Sequence, residues 1–311
     1  MNSGDNTLSM FEVNQKDPTR LTQVGRPINS GGKFPVAVAF SPKRNMACVA
    51  NSGGESNVAC FGVSSKGLSP LNTTRALGLN QTNPPTGPAN TVSDILFNHD
   101  ESKVLVSVKG TPNGTAGFIA SFDVASANVT GRKAFTLSGK SVKSTPAKGV
   151  LPFGMTLIKS QSSDILFSTD AAFGASVSQF SASLNKIVLS ESVPIPNQIA
   201  TCWSALSPRT GSFYVTDVGV ANVTEFSVDP KGPSLKLIAT HPLEAIGGRI
   251  DDAVASTRQG DFLYVLAAKE GAVDVLQLDS PGKATQIQTF NAKAAVPGLP
   301  ISVQGMAVFA V

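Results

Sequence analysis

One short ribbon centred on a large apolar residue returns six times along the chain, and this recurrence limits the possible folds more than any other feature. The copies at 6–13, 57–63, 117–124, 176–181, 222–228 and 272–278 place Phe11, Phe61, Phe122, Phe180, Phe226 and Leu276 at equivalent positions. Successive anchors lie 46 to 61 residues apart. Within each copy side chains alternate with the period of two that a half-buried strand needs. A nearly continuous apolar run precedes each later ribbon, at 35–40, 92–97, 153–158, 202–206 and 252–256, and recurs at 305–309. Runs this short suit strands covered on both faces. A third strand lies between the two, as at 212–216 and 261–266, and turns fill the gaps at 41–42, 51–54, 207–211 and 229–232. No segment keeps a helical period.

Units of about 50 residues with three or four strands predict an all-β fold, a β-propeller with about six repeats visible, forming one domain over 1–311. A two-sheet sandwich does not explain why the same triplet returns in the same order. The first ribbon has no inner strand before it, and the last inner strand, 302–309, has no ribbon after it. The two are expected to share a closing blade whose middle strand is missing or much reduced. Either the ring closes imperfectly at six, or upstream chain lies outside this sequence.

Hydrophobic residues make up 41% and charged residues 15%, so much of the chain must be buried. No apolar run approaches the about 18 residues of a membrane span. The net charge of +4 is spread thinly, and the densest basic stretch, Lys140 to Lys148, carries three lysines. That reads as solubility and not as a nucleic-acid surface. The N-terminus lacks the basic start and apolar core of a signal peptide. The three cysteines form no CxxC pair, and the two histidines, His99 and His241, stand alone, so neither a structural zinc nor another cofactor is expected. Counting outward from Gly54 sets Cys48 opposite Cys60; a cross-strand disulfide there would need an oxidising compartment. Five sequons, at Asn72, Asn80, Asn113, Asn128 and Asn222, lend slight support to a secreted glycoprotein.

The segments 2–11, Gly78–Thr82, Gly87-Pro88, Ser144–Lys148, Ala200–Ser204 and Gln304–Met306 resemble the lactonase-type propellers, the family of phosphogluconolactonase and fungal carboxymuconate cyclase. They look closest to a secreted fungal branch labelled carboxymuconate cyclase-like. The resemblance covers essentially the whole chain. It implies a seven-bladed ring, so that most of a first blade and a secretion signal are missing from this sequence, and an extracellular location; a cytoplasmic one remains the alternative. The cyclases of that family place Gly-Pro-Arg-His ahead of an inner strand, where this chain reads Gly87-Pro88-Ala89-Asn90. The guanidinium that would hold a carboxylate and the imidazole that would move a proton are both absent. Muconate chemistry is therefore not carried over.

Loops entering the inner strands line one mouth of a propeller's channel. This points to Asn90, Ser93, Asp94, Lys143, Phe153, Thr201, Cys202, Trp203, Arg249, Asp251, Asp252 and Gln304. Asp251, Asp252 and Arg249 are the catalytic candidates. A buried Asp252 would have a raised pKa and could act as acid or base, unless Arg249 keeps it ionised or Asp251 merely caps a turn. Asn90, Ser93, Asp94, Phe153, Cys202, Trp203 and Gln304 are the substrate-binding candidates. Cys202 reads better as a buried inert thiol than as a nucleophile, and Trp203 either walls a pocket or fills space between blades. His99 and His241 read as solvated turn residues. The main expectation is a cofactor-independent, monomeric cyclase or isomerase holding a small, mostly apolar molecule, with ring closure in fungal secondary metabolism as one setting. The alternatives are a lactone hydrolase or carboxymuconate-cyclase-type enzyme, and a non-catalytic secreted or surface binding protein.

Overall fold

The computed structural model describes residues 1–71, 74–111, 113–129, 132–159, 164–244, 247–300 and 303–309. The chain opens with a two-stranded ribbon, β1 (Thr7–Val13) and β2 (Leu21–Asn29). Five antiparallel sheets follow in sequence order. The first holds β3 (Lys33–Ser41), β4 (Met46–Gly53), β5 (Glu55–Ser64) and β6 (Gly67–Pro70), with β7 (Arg75–Asn80) also on β5. The second holds β8 (Val92–Phe97), β9 (Lys103–Val108), β10 (Phe118–Val129) and β11 (Arg132–Leu137), with β12 (Val142–Ser144) also on β10. Then come β13 (Pro152–Lys159), β14 (Asp164–Asp170), β15 (Gly174–Ser181) and β16 (Lys186–Pro194), followed by β17 (Thr201–Leu206), β18 (Ser212–Asp217), β19 (Asn222–Asp229) and β20 (Ser234–Pro242). The last sheet is β21 (Asp251–Ser256), β22 (Asp261–Ala267), β23 (Ala272–Ser280) and β24 (Lys283–Asn291), with a one-turn helix, α1 (Ala292–Ala295), after it.

Each sheet is one blade, running from an inner strand through a middle and an anchor strand to an outer one. Inner strands touch their neighbours in succession, β3 to β8, β8 to β13, β13 to β17 and β17 to β21, which sets the blades around an axis. The anchors Phe61, Phe122, Phe180, Phe226 and Leu276 are buried, as their alternation requires. Between blades the core is made of flat side chains: Phe167 stacks on Phe213 at 4.4 Å and 14°, with Phe226 tilted against Phe167. The opposed pair Cys48 and Cys60 is joined in a disulfide across β4 and β5.

Two expectations need correction. Residues 303–309 belong to no strand, and β1 pairs with β2, so no shared closing blade forms among the described residues; Ile301 and Ser302 lie outside them. His241 is not a solvated turn residue but a buried one on β20, whereas His99 does stand exposed in a turn. His99 Nδ1 meets Asp164 Oδ1 of the next blade at 2.7 Å, and His241 Nε2 meets the buried Glu225 at 2.8 Å. Of the sequons, Asn80 and Asn113 are exposed and Asn222 begins β19, while Asn72 and the Asn128 side chain lie outside the described residues.

Candidate functional site

Three inner strands share one local device, and a fourth, β3, shares its register slip, between Pro35 and Ala37. The register slips between Val92 and Asp94, between Pro152 and Met155, and between Thr201 and Ser204. A slip of this kind is a bulge, which frees a backbone N–H from the ladder. A hydroxyl on the neighbouring middle strand takes it: Ser107 accepts from Asp94 N, Thr169 from Gly154 N and Thr216 from Trp203 N. The same region stitches blade to blade. Asp94 Oδ2 accepts from Met155 N at 2.8 Å, and Thr169 donates to Cys202 O. Gly154 lets the two blades approach closely: a Cβ there would lie 3.1 Å from the Trp203 ring and 3.2 Å from Cys202 O.

The last blade departs from this pattern. β21 runs against β22 without a slip, and Asp252 stands opposite Val265, which has no hydroxyl to offer. Neither carboxyl oxygen of Asp252 accepts a hydrogen bond from any described residue. Burial pushes its pKa well up, and the adjacent Asp251 adds to the shift. Asp251 is better satisfied: Oδ1 accepts from Asp252 N, and Oδ2 accepts from Met306 N at 2.6 Å. Burial still raises it to about 6. Asp94, bonded to Ile95 N and Met155 N, is raised to about 7, chiefly by burial and slightly by Asp251.

Lys109, at the end of the second blade's middle strand, completes the cluster. Its ammonium lies 4.2 Å from the centre of the Phe153 ring, and burial lowers its pKa to about 8. Phe153 meets Trp203 edge-on at 5.4 Å. Cys202 donates its thiol proton to Ile250 O, and burial raises its pKa, so it is an inert thiol at neutral pH. The Cys202 thiol is within electrostatic reach of Lys109, Asp251 and Asp252, and Asp94 of Asp251, so side chains from three blades act on one another near the axis.

Sequence position thus brings together Asp94, Phe153, Cys202, Trp203, Asp251 and Asp252. It does not bring in the rest. Arg249 is buried and pairs with Asp274 at 2.7 Å on the same blade, with Glu270 at 3.8 Å; its Nη2 meets no described partner, and it does not hold Asp252 ionised. Asp251 lies in a strand and caps no turn. Asn90 is a left-handed turn residue (φ 55°) whose carbonyl takes Gln81 Nε2. Ser93 donates to Pro152 O, and Thr201 to Gln198 Oε1. Lys143 sits on β12, over Phe118 and donating to Leu77 O, away from the inner strands. Gln304 is exposed on the tail. Lys109 was missed; a lysine closing an apolar strand immediately before Gly110 was the available signal.

The tail residues Met306–Phe309 cross the flank of the last blade. They cover a cavity of about 440 Å3 whose walls include Ala255, Tyr264, Val275 and Phe290. No charged residue lines it.

No protein-family model matches this sequence, and no curated protein sequence does. Solved structures do match in shape. A proposed 6-phosphogluconolactonase from Bacteroides uniformis superposes with a TM-score of 0.66 at 14% identity, over 91% of this chain and 77% of that one. A protein from Lactobacillus plantarum gives 0.65 at 13%, again over 91% and 77%. A proposed 6-phosphogluconolactonase from Bacteroides fragilis gives 0.54 at 15%, over 90% and 89%. At such identity the likeness is one of architecture: the chain is a β-propeller of the shape shared by these lactonase-type structures.

Proposed function

We propose that the protein is a cofactor-independent lactonase-type hydrolase acting on a small cyclic ester at the axial cluster. One observation carries the reading: Asp252 is a buried carboxyl with no hydrogen-bond partner, set beside Asp251 and within reach of a cluster that contains a buried lysine. Burying such groups together is unfavourable for folding, and strongly shifted acids of this kind concentrate where protons are moved. Two of the structural neighbours are themselves proposed 6-phosphogluconolactonases, which supports the same chemistry.

Asp252, as carboxylate, takes a proton from water while the water oxygen bonds to the lactone carbonyl carbon. The Lys109 ammonium stabilises the charge that grows on the carbonyl oxygen. The ring C–O bond then breaks, and the proton on Asp252 passes to the departing ring oxygen, leaving a hydroxy acid. Phe153 and Trp203 wall the ring, and Phe153 holds the Lys109 ammonium over its face. Turnover should rise with pH as Asp252 ionises from its elevated pKa, then fall as Lys109 loses its proton around pH 8.

Acid release in a pH-stat from five- and six-membered lactones, phosphorylated and not, tests this. Asp252→Asn should lower turnover by about 10²- to 10⁴-fold. Lys109→Met should remove the alkaline limb. Background rates on every lactone, or full activity in Asp252→Asn, would defeat the reading.

The uncharged cavity under the tail favours a second reading, a cyclase or isomerase of a mostly apolar molecule, with secondary metabolism as its setting. Binding of uncharged apolar compounds with no acid release would support it. The Cys48–Cys60 disulfide favours an oxidising compartment for either activity, and with it secretion.

A further inference from the structure

As an ammonium Lys109 serves hydrolysis, yet its surroundings favour the amine. It is the one buried lysine among the described residues, 5% exposed just past the end of β9. Lys103 pairs with Asp123 and Lys143 donates to Leu77 O. Lys109 has neither an ion pair nor a hydrogen bond for its amine among the described residues, only the Phe153 ring at 4.2 Å. A buried cation without a counter-charge is unfavourable, and the neutral amine escapes that cost. Burial accordingly lowers its pKa to about 8. The fold does not ask for a lysine at this place. Lys109 N donates to Thr91 O just as Ala171 N donates to Leu151 O and Val218 N to Ala200 O in the two following blades. Alanine and valine fill the position there and the link is kept.

We propose that Lys109 is a covalent capture site, forming a reversible imine with a neutral aldehyde or ketone carried on an aromatic or alicyclic body. The Nζ lone pair bonds to the carbonyl carbon, and both protons of the neutral amine leave with the carbonyl oxygen as water, so no further reactant is consumed. The surrounding chain holds the amine over a fixed ring face. Gly110 N donates to Val150 O at 2.8 Å, Ser93 Oγ to Pro152 O at 3.2 Å and Ser107 Oγ to Phe153 O at 2.6 Å, which bind the segment carrying Phe153 to the blade carrying Lys109. Trp203 braces the same ring edge-on at 5.4 Å. The two rings give the ligand an aromatic bed, and a protonated imine keeps the contact that the ammonium makes with Phe153. The thiol beside them does not compete, because Cys202 donates to Ile250 O and burial raises its pKa. Asp251 and Asp252 act on that same thiol and disfavour a ligand that brings its own carboxylate. Imine formation needs neither a lactone nor Asp252, so it stands or falls separately from hydrolysis.

The probe is benzaldehyde, added to the full chain with cyanoborohydride, which reduces an imine to a stable benzylamine. Peptide mass mapping then reads the label at each lysine. Lys109 should be labelled at least about tenfold faster than the exposed Lys148 and Lys269. The anionic analogue 4-carboxybenzaldehyde should lose that preference. Lys109→Val should lose only this one label and keep the parent's melting temperature, since Val218 fills the equivalent place in β18's blade. Two results would overturn the proposal: labelling of Lys109 no faster than that of the exposed lysines, or equal preference for the carboxylated aldehyde. Both are read on the parent chain, so neither depends on how the variant folds.

Discussion

Asp252 sits where neighbouring blades set a hydroxyl against a bulge, and Val265 leaves its carboxyl facing no donor. A carboxyl whose folded pKa exceeds its unfolded value destabilises the fold once pH rises through the interval between them. The penalty is absent below about pH 4 and fully present above the folded pKa. Asp252→Asn should therefore melt higher than the parent at pH 8, with the difference closing towards pH 4, even as turnover is lost; calorimetry across that range checks it. Asp94 and Asp251 act in the same direction with folded pKa values of about 7 and about 6. The acids were legible in the sequence because inner-strand position alone sends them to the axis. Arg249 was misread because its partner, Asp274, lies on the anchor strand of the same blade, a contact no local spacing announces. Lys109 was missed because it closes a middle strand, and only the next blade's Phe153 shows where its amine goes.

At the scale of single elements, the inner, middle and anchor strands were readable because buried strands keep apolar runs or strict alternation. The outer strands were not. β16 and β24 expose most of their side chains and carry Lys, Ser, Gln and Thr, so no apolar pattern marks them in the sequence. Pairing with an anchor strand, and not side-chain hydrophobicity, makes them strands. The β4–β5 hairpin was the most legible element, since its turn fixes Cys48 against Cys60. Reducing that disulfide should lower stability by about 2–3 kcal/mol, read as a fall in melting temperature with tryptophan fluorescence as a control for the distant blades. The approach to β21 is equally exacting. A Cβ at Gly248 would lie 1.3 Å from Val218 O, so Gly248→Ala should displace the strand that carries Asp251 and Asp252 and lower both stability and turnover.

Across the whole molecule the blades form a row in which each touches chiefly its neighbours. Stability in such arrays is close to a sum of unit and interface contributions, so the ends open first. Amide exchange should be slowest in β9, β14 and β18 and faster in β1, β2 and β24; uniform rates throughout would contradict this. The number of repeats was plain from the spacing of the anchors, but how the row ends was not, because closure depends on which strands find partners and not on any local pattern.

The bonds that hold one blade to the next end, at several points, on peptide groups: Asp94 grips the N–H of Met155 and Thr169 the carbonyl of Cys202, and Asp251 ties down the tail the same way through the N–H of Met306. A peptide group is the same whatever residue carries it. Successive generations can therefore exchange the gripped residue freely while the grip survives, and a shape built this way outlasts almost every letter that first spelled it.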